Sequence, residues 1–187
     1  MNFRLCQLLW RFLQISFFIL IVSSTTFGQI NHDLKITLHP DSHRLEIVDK
    51  ITLPPVSQDT GSFHFTLHKG LKPEVLDKDT ILRESLGAEA GKFFSENPSI
   101  YQGNINLELF EVKLQPGTNQ FTLKYQGKVF HPVEEYGEEY ARSFSVSPGI
   151  VSPQGVFLSS SSFWYPHFVD ELVTFRMDVE LPAGWSS

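Results

Sequence analysis

Apolar and polar residues alternate with a period of two through most of this chain, and that alternation constrains the fold more than any other feature. Leu34, Ile36 and Leu38 alternate with Lys35, Thr37 and His39, and Leu45 and Ile47 with Arg44 and Glu46. Successive strand side chains point to opposite faces, so a two-residue period writes one buried and one wet face. Pro40-Asp41-Ser42 lies between the two runs. Proline presets its own φ, and Asp and Ser bond neighbouring backbone, so Asp33–Leu53 reads as a hairpin.

The pattern recurs. Phe63, Phe65 and Leu67 alternate with His64, Thr66 and His68. Ile105, Leu107 and Leu109 are followed by a slip in phase to Phe110, Val112 and Leu114, which a bulge at Leu109-Phe110 explains. Pro116-Gly117-Thr118-Asn119 is a turn before Phe121, Leu123 and Tyr125. Phe175, Met177, Val179 and Leu181 form a last amphipathic strand. One-sided strands are characteristic of antiparallel sheets, whereas buried parallel strands are apolar on both faces. The expected fold is all-β, an antiparallel two-sheet sandwich or saddle. Asp77–Leu86 reads as a short helix, Gly87–Pro98 as a loop, and Pro132–Ala141 as a helical turn or acidic loop.

Residues 1–29 read as a secretory signal. Arg4 and Arg11 are its only charges, Ile15–Val22 its apolar core, and small residues follow from Ser23. Eight core residues fall short of the roughly 20 that span a bilayer, which favours cleavage near Gln29 over an anchor. The expected location is exported: periplasmic, secreted or attached to the envelope, with membrane contact only if the signal is retained. Cys6, the one cysteine, lies in the signal, so residues 30–187 must fold on a hydrophobic core without disulfides. Without Arg4 and Arg11, 13 basic residues face 21 acidic ones. That balance argues against nucleic acid or an anionic membrane surface as partner.

The chemistry-bearing residues are sparse. His39 and His43 have the four-residue spacing of a zinc helix but sit in a turn, with Pro40 where H-E-x-x-H needs glutamate. His64 and His68 lie roughly 13 Å apart at about 3.3 Å per residue and read as solvated. The run Ser159–Ser162 lacks the elbow and base of a serine nucleophile, so a polar edge or pocket lining is expected. Glu134, Glu135, Glu138 and Glu139 read as a solvated acidic loop around Tyr136 and Tyr140. Trp164, Tyr165 and Trp185 are expected to pack inside, the alternative being a carbohydrate platform.

In their order, these pieces resemble the N-terminal β-domain of the aminopeptidase-N-like zinc metallopeptidases. The carriers are the hairpin Leu34–Leu53, the strand Phe63–His68, and a strand ending Leu123-Lys124-Tyr125-Gln126-Gly127. A glycine-led strand from Gly155 follows, then Thr174-Phe175-Arg176-Met177-Asp178-Val179 and the turn Pro182-Ala183-Gly184-Trp185. Trp164-Tyr165-Pro166 is similar to a divergent, mainly bacterial branch. The resemblance implies a noncatalytic domain that packs on a catalytic domain of the same protein and lines its cleft for peptide substrate. Ser160, Ser161, Ser162 and Trp164 are the implied pocket-lining residues. No cofactor is implied in this chain, because zinc and its H-E-x-x-H helix belong to the catalytic domain. Where the family places Gln and a Glu or Gln against the substrate amine, this chain has Ser160 and Ser162, which changes the implied specificity. The alternative is a self-standing exported β-sandwich that binds glycan or protein.

Overall fold

The computed structural model describes residues 29–54, 61–100, 106–136, 144–169 and 171–186. The signal segment at 1–28 and the acidic residues Glu138 and Glu139 lie outside the described residues. Among the described residues, no helix is long and apolar enough to cross a membrane.

The chain is mostly strand. β1 (Gln29–His39) and β2 (Arg44–Thr52) form the expected hairpin, in unbroken antiparallel register from Asn31 opposite Thr52 to His39 opposite Arg44. A single 3-10 turn, Pro40–Ser42, joins them and ends at His43 with φ 57°. β7 (Gln120–Lys128) pairs antiparallel with β2, and β4 (Leu71–Val75) with β7. The last strand, β12 (Leu172–Glu180), completes this five-stranded sheet in the order β12-β1-β2-β7-β4. β12 runs parallel to β1, so the sheet is mixed rather than purely antiparallel. Alternation reports which face a residue takes, and a parallel and an antiparallel partner read identically along one strand.

A second sheet has the order β3-β6-β5, from β3 (Ser62–His68), β5 (Ile81–Ser85) and β6 (Leu107–Lys113). Two short pairs complete the fold: β8 (Glu134–Tyr136) with β9 (Phe144–Val146), and β10 (Gly149–Ser152) with β11 (Gly155–Leu158). One apolar cluster draws on both larger sheets. Leu34, Ile36, Leu45, Ile47, Phe121 and Leu123 come from the five-stranded sheet, and Phe65, Leu67, Phe110 and Val112 from the three-stranded one. Each such side chain contributes about 1.5–3 kcal/mol by leaving water.

Four segments differ from the sequence expectation. Within Pro132–Ala141, read as a helical turn or acidic loop, Glu134–Tyr136 is strand β8, because its backbone pairs with Phe144–Val146. Residues 81–85 form β5, not a helix, because the strand is held on β6 along its whole length, from Ile81 opposite Lys113 to Ser85 opposite Leu109. The helix lies just after it: α1 (Ala88–Glu96) occupies the stretch expected to be a loop. Glu89 reaches Arg83 at 3.0 Å and Phe93 packs 5.8 Å from His64, so α1 covers the outer face of the second sheet. The phase slip at Leu109-Phe110 has another cause. There is no bulge, since β6 keeps continuous register with β3. Leu109 is buried on the outer face and Phe110 on the core face, so β6 is apolar on both sides.

The β3–β4 turn crosses β7 at two glycines. A Cβ on Gly127 would lie 1.7 Å from the Gly70 carbonyl oxygen, and one on Gly70 would lie 2.4 Å from that of Lys128. The backbones therefore touch where no side chain fits. Gly127→Ala is expected to destabilise the protein by about 1–3 kcal/mol, because the obstruction is backbone. Gly91→Ala, in α1 with nothing within 4 Å of the new methyl, is expected to stabilise it by about 0.5–1 kcal/mol. Urea midpoints for the two variants test this pair; similar midpoints would contradict it.

Candidate functional site

The serine run forms a second 3-10 turn, Ser160–Ser162, ending at Phe163 with φ 52°. Its hydroxyls are used locally. Ser159 Oγ donates to the Pro148 carbonyl at 2.6 Å and lies 2.7 Å from Ser161 Oγ, and Ser162 Oγ donates to the Ser159 carbonyl at 2.8 Å. A Cβ on Gly149 would fall 2.7 Å from the Ser162 Cβ, so the glycine at the start of β10 lets the turn seat against it. Ser160 and Ser161 are exposed, whereas Ser162 is fully buried. Trp164 and Tyr165 are 8% and 7% exposed and belong to the core cluster. The residues expected to line a pocket therefore divide into two at the surface and two inside. Trp164 and Tyr165 cannot form a solvent-facing platform, and Trp185 is half-buried.

Three histidines surround the chain leaving that turn. The Phe163 carbonyl accepts the backbone N–H of His68 at 2.9 Å, and His167 and Thr66 exchange two backbone bonds of 2.9 Å. The backbone N–H of His131 donates to the Gly149 carbonyl at 3.0 Å. His68 and His131 meet with Nε2 to Nε2 at 3.0 Å. Gly70 N–H donates to His68 Nδ1 at 2.8 Å, so that nitrogen is the acceptor. His68 therefore carries its proton on Nε2 and donates it to His131, whose own proton sits on Nδ1. Both rings are neutral in this arrangement. Burial pushes His68 down to about 4, with the nearby His131 adding to the effect, and burial also lowers His131 and His167. The expected solvation of His68 is thus overturned: it is buried at the end of β3, where the 163–167 segment bonds along the strand's outer edge.

The largest buried polar group lies in the five-stranded sheet. Asp49 Oδ2 accepts from His32 Nδ1 at 2.8 Å and from the Tyr125 hydroxyl at 3.3 Å. All three residues are fully buried. Rings roof the group: Phe175 stacks on His32 at 5.4 Å, and Tyr165 meets it edge-on at 5.5 Å. Desolvation raises the Asp49 carboxyl above its ordinary range, against the His32 hydrogen bond and charge that pull it down. Burial pushes the Tyr125 hydroxyl well above its ordinary value. Asp49 Oδ1 and His32 Nε2 are buried without a partner. Sequence inspection missed this group, although a signal was present. His32 falls between Ile30 and Leu34, and Asp49 between Ile47 and Ile51, so each polar residue occupies a core slot of the alternation.

Chemically, these side chains bond backbone groups and one another. Ser159 and Ser162 donate to carbonyls, so neither is paired with a base as nucleophilic catalysis requires. His43 Nδ1 is committed to the Val151 carbonyl at 2.7 Å, and His39 is exposed. A metal on His68 Nε2 would require the proton to move to Nδ1, against the Gly70 N–H. Among the described residues, no three His, Cys, Asp or Glu side chains converge.

The neutral histidine pair makes stability pH-dependent. His68 titrates near 6.5 when unfolded and about 4 when folded, so between these values the unfolded chain binds the extra proton. Stability is therefore full above about pH 6.5 and falls as pH drops toward 4. Urea titrations of the wild type and His68→Gln across pH 4–8 check this. The variant is expected to lose stability at pH 7 and to show a shallower decline below 6.5; parallel profiles would contradict it. Asp49→Ala, which strips His32 of its buried partner, is expected to cost about 3 kcal/mol at pH 7 by the same titration.

No protein-family model and no curated protein matches the chain. Among solved structures, it is similar to an M1 zinc metallopeptidase from Deinococcus radiodurans, at 17% identity and a TM-score of 0.37. That match covers 81% of this chain but only 31% of the metallopeptidase, so the chain spans less than a third of that protein's length.

Proposed function

We propose that this chain is an exported, noncatalytic β-domain that packs on a zinc-metallopeptidase-like catalytic domain of the same protein. In this arrangement the two larger sheets are the layers of a sandwich. The Ser160–Ser162 turn, backed by Trp164, forms one wall of the peptide-substrate cleft, and zinc is held by the catalytic domain.

One observation carries the proposal: each sequence piece that carries the resemblance forms a strand, hairpin or turn of the fold. They are the hairpin β1–β2, the strand β3, β7 with Tyr125 and Gly127 near its end, β11 opening at Gly155, and β12 before Pro182-Ala183-Gly184-Trp185. The local use of the serines and histidines agrees with a supporting rather than a catalytic part. Burial of Trp164 and Tyr165 removes the main cue for the alternative, a glycan-binding module.

The test begins with the gene. The reading frame is expected to continue past Ser187 into an H-E-x-x-H motif and a distant glutamate; a stop without them would sink the proposal. If the frame continues, the secreted protein is expected to start near Gln29 and to hydrolyse aminoacyl anilides until zinc is chelated. Ser160→Glu introduces an anionic group for a substrate ammonium at the exposed end of the turn. It is expected to lower KM about fivefold, equivalent to ~1 kcal/mol, at unchanged thermal stability. An unchanged KM would remove Ser160 from the cleft wall.

A further inference from the structure

We infer that β12 is a self-association edge: two copies of this chain pair their β12 strands antiparallel about Met177, joining two five-stranded sheets into one. The inference does not depend on the function proposed above.

The two edges of the five-stranded sheet are built differently. β4 is short and carries Lys72 and Pro73, features that discourage a further strand. β12 has nine residues, without proline, glycine, lysine or a break in its register with β1. Its outer backbone edge is a template for another strand. In a parallel ladder, residues in register share a face, so Phe175, Met177 and Val179 extend the apolar row of His32, Leu34 and Ile36. The second sheet does not cover that extension. Phe175, Met177 and Val179 are 41%, 57% and 39% exposed.

The occupant follows from charge. On the opposite face, Arg176 lies in register with Asp33 and Asp178 with Lys35. A two-fold axis through Met177, perpendicular to the sheet, sets Arg176 against Asp178 of the second copy, twice. The row then reads Lys35, Asp178, Arg176, Asp33 across four strands, with alternating sign. On the apolar face Met177 meets its own copy, and Phe175 meets Val179. Shifting the centre to Arg176 or Asp178 places like charges directly opposite, and centring on Val179 sets Asp178 against Glu180. Such pairs are unfavourable, whereas opposite charges and apolar pairs stabilise a sheet. A centre at Phe175 avoids clashes but leaves Asp178 and Glu180 without a cationic partner.

Sedimentation of the full-length protein over a range of concentrations is expected to show a dimer. Arg176→Asp is expected to raise the dimer Kd about tenfold or more, and combining it with Asp178→Arg to restore association. The Arg176–Asp33 contact within one copy is 4.0 Å long with Arg176 largely exposed, so the like-charge neighbours that the exchange sets beside Asp33 and Lys35 are screened by water and leave the fold intact. In a Cys6→Ser background, Met177→Cys is expected to form a disulfide-linked dimer on oxidation, and Thr174→Cys to form no cross-link. A protein monomeric at every concentration would overturn the inference. So would a dimer unaffected by Arg176→Asp, equal cross-linking at 174 and 177, or β12 amides protected from exchange in the monomer by another domain.

Discussion

The bond between Asp49 and His32 is the constraint on which the described structure depends most. It links β2 to β1, and the Tyr125 hydroxyl extends it to β7, so one carboxylate ties together the three central strands. In register, Asp49 lies opposite Leu34 and Leu123, and the bonds run diagonally to His32 and Tyr125. A one-residue slip in either pairing would turn the partners to opposite faces of the sheet. A buried, unpaired carboxylate is costly, so a slipped sheet loses the link and strands the charge as well. Apolar neighbours alone would penalise a slip less sharply, because one aliphatic contact substitutes for another.

The same group organises what lies above it. His32 presents its ring to Tyr165, Phe168 and Phe175, so the segment leaving the serine turn and the start of β12 converge on one side chain. Tyr165 in turn packs on Trp164 and Phe175. The covering segment is fixed at its other end by backbone bonds from Phe163 and His167 to β3. The serine turn is therefore held between two sheets. Its position is set by a histidine in β1 and by backbone from β3, distant parts of the chain that share no local sequence signal.

That distance separates what could be read from the sequence from what could not. The β1–β2 hairpin, β7 and the existence of β12 were legible because each has one buried face, which writes a two-residue period. β6 was misread as bulged because Leu109 and Phe110 are buried on opposite faces, and a strand buried on both sides loses its period. β5 and α1 exchanged places for a related reason. Asp77–Leu86 contains good helix formers, yet pairing with β6 decides its state, while Gly87 and Gly91 obscured a helix whose Glu89 suits its first turn. Ser160–Ser162 was recognisable as a polar turn, but not that Gly149 would seat Ser162 inside. His68 was invisible as a buried residue because its cover comes from residues almost a hundred positions later.

Polar side chains in this protein are placed where backbone would otherwise go unsatisfied or where strands must be kept in register. Ser159 and Ser162 satisfy carbonyls at a turn, His43 satisfies one at β10, and Asn119 donates to the Leu53 carbonyl where β2 ends. Each role demands fixed geometry, because a buried carbonyl left without a donor costs more than its hydrogen bond contributes. Catalysis asks the opposite of the same residue types: a hydroxyl free to attack, or an imidazole free to accept a proton. A serine committed to a carbonyl, or a histidine fixed in one tautomer by a backbone N–H, has surrendered that freedom. Fold and chemistry are specified by different residues, so the strand framework that holds these serines and histidines does not itself prescribe a reaction.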